Sequence, residues 1–253
     1  MNYLQEKLNK YIMNITTTDT RTIGEIVADN YHTADIFNKY GIDFCCGGGI
    51  TLSEACKNKG VSINELSRAI REIDSLKTVS GDNFNAWEPA FLIDYIIGTH
   101  HSFVRNKVVE IAAYAEKVAS VHGERLPVNI EIYKKFTALT SELLQHLQDE
   151  EQIVFPLIRS IARKRKKGID LTDEELTELK EQLDLMVGDH DGAGDIMAEI
   201  RKLSNNFTPP EDACTTFRIF YQNLEGFEND LHKHVHLENN ILFKKAEELL
   251  PHN

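Results

Sequence analysis

The sequence predicts an all-α protein, a four-helix bundle preceded by a small helical domain. Three observations carry this. His146-Leu-Gln-Asp-Glu150 recurs as His234-Val-His-Leu-Glu238, and residues four apart on a helix share one face. His101, His146, His190 and His234 follow one another at intervals of 44 or 45 residues. That spacing fits antiparallel helices of about 30 residues joined by short loops, with one histidine per helix at a common level. Finally, no apolar/polar alternation runs long enough to make a sheet.

The bulk numbers agree. The chain has 253 residues, 42% of them hydrophobic and 27% charged, room for two domains and a packed core. A net charge of −12 argues against a nucleic-acid partner, which a basic face would serve, and against an anionic membrane surface. No apolar run approaches the roughly 20 residues of a membrane span. Met1-Asn-Tyr-Leu-Gln-Glu-Lys7 lacks the basic-then-apolar order of a secretion signal, so the cytoplasm is the expected location. The four cysteines, Cys45, Cys46, Cys56 and Cys214, are then not a disulfide framework.

Taken in order, residues 1–20 hold a short amphipathic stretch from Tyr3 to Ile12 and a polar threonine run. Organised sequence begins at Thr22. Ile23, Ile26 and Val27 form one apolar stripe, and Ala34, Ile36, Phe37 and Tyr40 the next, with Gly41 as a helix stop. Residues 41–50 include three consecutive glycines and must be a loop. Thr51-Leu-Ser-Glu54 and Ser62-Ile-Asn-Glu65 read as capping boxes on either side of Gly60. Residues 1–80 thus form the small domain with its Cys-Cys loop, and Thr78–Asn85 the linker. Residues 86–253 form the bundle. Its first helix runs from about 87 to 120. The second runs from Pro127 to about Gly168, with a kink expected at Pro156. The third starts at the capping box Thr172-Asp-Glu-Glu175 and ends near Asn205-Asn206. The fourth starts at Thr208-Pro-Pro-Glu211 and ends before Pro251.

The chemistry sits on the bundle's inner faces. A histidine taken singly is most simply a core residue; the argument rests on the set. Phe227, Leu231, His234, Glu238 and Ile241 share one face of the fourth helix. Leu139, Leu143, His146, Glu150, Ile153 and Leu157 share one face of the second. A buried carboxylate beside a buried imidazole is costly unless paired or coordinated. Leu183, Met186, Val187, His190 and Met197 line the third helix, with Gly192 and Gly194 thinning it. In the first, Ile93, Ile97, His101, Val104 and Val108 make a better stripe than one through His100, though His100 stays a rival. Glu151 reads as exposed or as a support for the ligands. His232 and His236 fall on a face with Glu225, Asn229 and Asn240 and read as surface residues.

Four histidines and two glutamates suit a two-metal site. If each glutamate bridges, each metal receives two imidazoles and two carboxylate oxygens and keeps an open position, unlike a closed structural zinc site. The donor set favours iron or zinc over magnesium or calcium. In the small domain, Cys45-Cys46 lies in a glycine-rich turn. Its plain reading is two small residues packed in a turn. The functional readings are redox-active thiols or soft metal ligands. Two cysteines cannot hold an iron–sulfur cluster alone, and the spacing of Cys56 does not demand that it join them. Cys214, at the start of the fourth helix, reads as structural.

Several stretches carry a family resemblance: Tyr40-Gly-Ile-Asp-Phe-Cys-Cys-Gly-Gly48, residues 145–156, Asp189-His-Asp-Gly-Ala-Gly194, residues 208–216 and His234–Phe243. Over nearly its whole length the chain resembles the Repair of Iron Centres family of di-iron iron–sulfur cluster repair proteins. The resemblance implies a hemerythrin-like bundle holding two non-haem irons bridged by oxo and by two carboxylates. Its ligands fall on His101, His146, Glu150, His190, His234 and Glu238. It implies repair of clusters damaged by oxidative or nitrosative stress, by iron supply, and a cytoplasmic place. Damaged iron–sulfur proteins or cluster-assembly proteins are the implied partners, nitric oxide or dioxygen the small ligands, and dimers the state of some members. Reduction of nitric oxide to nitrous oxide, or gas sensing, is the alternative, so whether the chain is an enzyme stays open. Cys45 and Cys46 are the candidate reactive thiols.

Overall fold

The computed structural model describes residues 20–75 and 83–250. The amphipathic stretch before Thr20 and most of the expected linker lie outside them. The described residues hold helices and no strand, only an isolated antiparallel bridge between Thr22 and Thr51. By internal contacts the chain divides into two units. One is residues 1–87 with 236–241, and the other is residues 88–235 with 242–253.

The first unit is built from short helices, each with a local reason to start or stop. Helix α1 (Ile23–Asp29) opens with a capping box. The Thr22 hydroxyl accepts from Glu25 N at 3.2 Å, and the Thr22 amide donates to the Glu25 carboxylate at 2.7 Å. Helix α2 (Ala34–Lys39) ends before Gly41, whose φ of 63° lies in the left-handed region. Helix α3 (Leu52–Lys59) carries the expected Thr51/Glu54 box and stops at Gly60, also left-handed. Helix α4 (Ile63–Ser75) follows. Ile23, Val27, Phe37, Leu52, Leu66 and Ile70 are fully buried and form this unit's core.

Four long helical rods make up the second unit, apart from residues 236–241 of the last rod, which group with the first unit. The first is α5 (Pro89–Ile96), a π-helical turn (Ile97–His101) and α6 (Ser102–His122). The second is α7 (Val128–Asp149), a π turn (Glu150–Val154) and α8 (Phe155–Lys166). The third is the uninterrupted α9 (Asp173–Leu203), opened by the Thr172/Glu175 box. The fourth is α10 (Thr215–Leu237), a π turn (Glu238–Leu242) and α11 (Phe243–Glu247). Helix α6 packs along α7, and α7 along α9. Ile111, Ile132, Phe136, Leu139, Leu179, Ile200, Phe220 and Leu224 are fully buried among them.

Three expectations change. The disturbance expected at Pro156 takes the form of the π turn just before it, with Pro156 in the first turn of α8. Proline has no N–H to return to the preceding turn, so a helix that widens there loses no bond. The extra residue of that turn rotates the apolar stripe: Ile153 is 43% exposed, while Val154, Phe155 and Ile158 are buried. Val187, read as facing the core, is 37% exposed. Finally, Thr208 caps no helix. Pro209 and Pro210 hold the chain extended, Asn205, Asn206 and Phe207 take positive φ, and α10 begins only at Thr215.

Candidate metal centre

Each rod delivers a histidine inward at one level. His101 ends the first π turn, His146 lies one turn before the end of α7, His190 is in the middle of α9, and His234 is near the end of α10. Glu150 and Glu238 are the first residues of the other two π turns. These six side chains are at most 5% exposed. Three of them therefore lie on π turns, the local widening that recurs at functional sites. The widening also sets the phenylalanine that follows. Phe155 stacks on His101 at 5.6 Å, and Phe243 on His190 at 6.0 Å.

The donor atoms form two groups. In one, His101, Glu150, His234 and Glu238 each bring a ligand atom within 4.8 Å of the others; in the second, His146, Glu150, His190 and Glu238 do the same. Both carboxylates belong to both groups. Glu150 shows how: its Oε2 lies 3.3 Å from His101 Nε2, while its Oε1 lies 3.4 Å from His146 Nε2 and 3.8 Å from His190 Nε2. Two of the outward nitrogens have carboxylate partners. His101 Nδ1 is 2.7 Å from Glu151 and His146 Nδ1 is 3.3 Å from Asp189. Such a bond places the ring proton outside and turns the Nε2 lone pair inward.

This arrangement fits metal ions. His146 Nε2 and His190 Nε2 meet at 2.9 Å. Two nitrogens at about 2.1 Å from one cation and at right angles to each other would be about 3.0 Å apart. Two buried carboxylates are also costly unless paired or coordinated, and bound cations would offset that cost. His100 is in neither group. It is 2% exposed, its Nδ1 is 2.9 Å from Asp230, and its ring stacks on His234 at 5.6 Å. A cavity of about 600 Å³ reaches His146, His190 and His234, with Gly188 and Gly192 in its wall.

Burial raises the Glu151 carboxyl, and the hydrogen bonds from His101 and Arg105 outweigh this and hold it below its ordinary value. Glu151 thus stays charged at neutral pH, and its support is lost only as pH falls through that lowered value. Glu151→Ala should weaken metal retention by about 10- to 100-fold, the usual cost of removing such a partner. Competition with a chelator reads this, and unchanged retention would remove Glu151 from the site.

Three of the four cysteines, Cys45, Cys46 and Cys56, lie in the first unit. Cys45 is buried and Cys46 partly so, with their sulfurs 3.8 Å apart; Cys56 is buried and Cys214 exposed, and all four are thiols. Cys214 Sγ lies 3.5 Å from His122 Nε2. The hydrogen bond with Cys46, then burial, then the charges of Cys46 and Asp43 push the Cys45 thiol well above its ordinary value. Alkylation of Cys45 should therefore be slow at neutral pH and climb only beyond the ordinary thiol range. Pulse labelling read by mass spectrometry checks this, and rapid labelling at neutral pH would contradict it.

His236, expected at the surface, is fully buried. Its ring lies 5.9 Å from Tyr31 and 5.8 Å from Phe44, and its Nδ1 is 3.3 Å from Asn240 Nδ2. Of the polar residues of that face, Asn240 donates to the Phe44 and Cys45 carbonyls inside the first unit, while Glu225 and Asn229 are exposed. The π turns, Asp189 as the partner of His146, and the His100–Asp230 pair were missed, whereas Glu151 takes the supporting role that was one of its two readings. The one signal for Asp189 was its adjacency to His190.

Comparison with known proteins agrees with this geometry. A hemerythrin HHE cation-binding domain matches residues 92–246, and an ScdA N-terminal domain of unknown function (DUF542) matches residues 19–74. The iron–sulfur cluster repair protein ScdA of Staphylococcus haemolyticus is 35% identical over 230 residues, 90% of this chain and 98% of that protein. The chain belongs to the ScdA and YtfE family. A probable iron–sulfur cluster repair protein of Haemophilus influenzae is 34% identical over 83% of this chain and 89% of its own length. The YtfE of Musicola paradisiaca is 31% identical over 89% and 96%. The family's helical bundle and small N-terminal domain are both present. No helix among the described residues is long and apolar enough to cross a membrane.

Proposed function

We propose that His101, His146, Glu150, His190, His234 and Glu238 hold two non-haem irons, and that the protein supplies iron to iron–sulfur clusters damaged by oxidative or nitrosative stress. One observation carries the reading: two buried histidine pairs share the same two buried carboxylates. Glu150 and Glu238 would each bridge, and the resting pair would be oxo-bridged. Bound irons would supply redox-active metal with positions left for a small ligand. The residues do the rest. Glu151 and Asp189 fix the imidazole tautomers, Phe155 and Phe243 hold the rings, and the cavity beside His146 and His190 lets small species in or out.

The partners are then damaged iron–sulfur proteins or the proteins that assemble clusters, in the cytoplasm. The test incubates iron-loaded protein with a cluster enzyme inactivated by nitric oxide. Activity should return as iron leaves the protein. No recovery, or recovery with iron retained, would refute donation.

The cavity favours a second reading, nitric oxide reduced to nitrous oxide, because it opens on histidines of both groups. A Cβ at Gly192 meets no atom within 4 Å. Gly192→Leu should slow nitric oxide binding by the reduced protein several-fold with iron content unchanged, as measured by stopped-flow absorption. An unchanged rate would show that ligands enter elsewhere. Absence of nitrous oxide in a single turnover would end the reductase reading.

A further inference from the structure

The loop at residues 43–48 holds a second constellation. Asp43, Cys45 and Cys46 each bring a ligand atom within 4.8 Å of the others. The two sulfurs are 3.8 Å apart, and Cys45 Sγ is 3.1 Å from Asp43 Oδ1. Two thiolates bound at about 2.3 Å to one tetrahedral cation would be about 3.8 Å apart, whereas a disulfide needs its sulfurs at about 2.05 Å. The pair is thus spaced for sharing a cation, and closing a disulfide would require the loop to move.

The loop is held in that shape from several sides. Asp43 accepts the amides of Cys45, Cys46 and Gly47 at 2.9, 3.1 and 2.9 Å. This points the carboxylate at the sulfurs. Asn240 Nδ2 donates to the carbonyls of Phe44 and Cys45 at 3.3 and 3.0 Å. Glycine is required beneath it. A Cβ on Gly48 would meet Asn240 Oδ1 at 3.0 Å and Gly24 Cα at 3.2 Å, and one on Gly24 would meet Asn240 Oδ1 at 2.1 Å. Cys45 is buried while Cys46 and Asp43 reach the surface, so a cation held here would be open to exchange on one side.

We propose that Asp43, Cys45 and Cys46 form a second metal site, separate from the histidine–glutamate centre, that takes one soft divalent cation. Two sulfurs and one carboxylate oxygen would bind it, each thiol giving its proton to water as its sulfur–metal bond forms. The assignment of ferrous iron as the natural occupant rests on the iron-donation reading; the site itself does not.

The test uses the full-length protein with its iron centre loaded, titrated anaerobically with cobalt(II). A near-ultraviolet thiolate-to-cobalt band should saturate at about one cobalt per chain, with tetrahedral visible bands. In the same samples, cobalt should protect Cys46, and Cys45 at the alkaline pH where it labels, from alkylation and leave Cys214 reactive, as read by mass spectrometry without any variant. Cys45→Ser or Cys46→Ser should each weaken binding. Asp43→Asn should lower the affinity by about 10- to 100-fold, with iron content unchanged. No thiolate band, a band that survives both serine variants, or protection of other cysteines would overturn the site. If the band fails while damaged clusters are still restored, the site falls and donation stands; if restoration fails while the band appears, the reverse holds.

Discussion

On the proposed ligand set, Glu150→Ala/Glu238→Ala should purify without iron, whereas the wild-type protein should carry about two irons and show oxo-bridged ferric absorption. The effect should be near complete because the two carboxylates are shared. Glu150 faces His101 with one oxygen and His146 and His190 with the other, so its loss strips a ligand from both groups at once. Removing Glu238 as well leaves each group with two imidazoles, too few to hold iron against buffer chelators. A single Glu150→Ala variant should retain less iron than a variant of any one histidine, since each histidine serves one group only. Stability gives an independent reading. Iron that binds only the folded chain raises the melting temperature as its concentration rises, so iron should stabilise the wild type and leave the double variant unmoved. Without metal the order reverses, because the double variant no longer buries two carboxylates beside imidazoles. Two irons retained by the double variant would break the ligand assignment, and iron donation would go with it.

The bundle was legible because its candidate ligands repeat on helical spacing. His146/Glu150 and His234/Glu238 mark two faces, and the interval to His101 and His190 sets the other two helices. The structure brings those six residues together, His101 rather than His100. What sequence periodicity could not show was where the period itself changes. The π turns at Ile97–His101, Glu150–Val154 and Glu238–Leu242 each insert a residue, which is why a stripe drawn through Ile153 leaves the core. A stripe of period 3.6 assumes an unbroken helix. His236 failed for a different reason. Its neighbours Asn229 and Asn240 look solvated in sequence, but Asn240 is occupied by the backbone of residues 44 and 45. Contacts so distant in the chain leave no periodic mark. The Pro209-Pro210 pair was read as a helix start on the rule that proline suits the first turn, yet consecutive prolines also hold the residues before them extended. Here the second effect won.

The largest effect on stability away from the metal should come from Arg201→Leu. Glu228 is 1% exposed, and the Arg201 guanidinium grips both its oxygens, with Nε at 2.9 and 2.8 Å and Nη2 closing the fork. The carboxylate's hydrogen bonds raise the Arg201 pKa further above its already high value, against the opposing effect of burial. Replacing Arg201 leaves a carboxylate buried between α9 and α10 without its cation. Loss of one partner from a buried pair costs about 3–5 kcal/mol, and the 37% exposure of Arg201 places this case near the low end, about 3 kcal/mol. For a domain of this size that is a fall of about 6–12 °C in melting temperature. A second contact adds to it. The guanidinium lies 4.8 Å over the ring of Phe207, which holds a φ of 54° that a bulky residue rarely adopts. Arg201→Leu therefore also loosens the 205–214 loop that sets where α10 begins. Arg201→Leu/Glu228→Leu separates the two losses: it removes the stranded charge, and most of the stability should return, while the loop should still be cut faster by protease than in the wild type. If the double variant is no more stable than Arg201→Leu alone, the cost lay in the loop and in lost packing, and Glu228 was never dependent on its arginine.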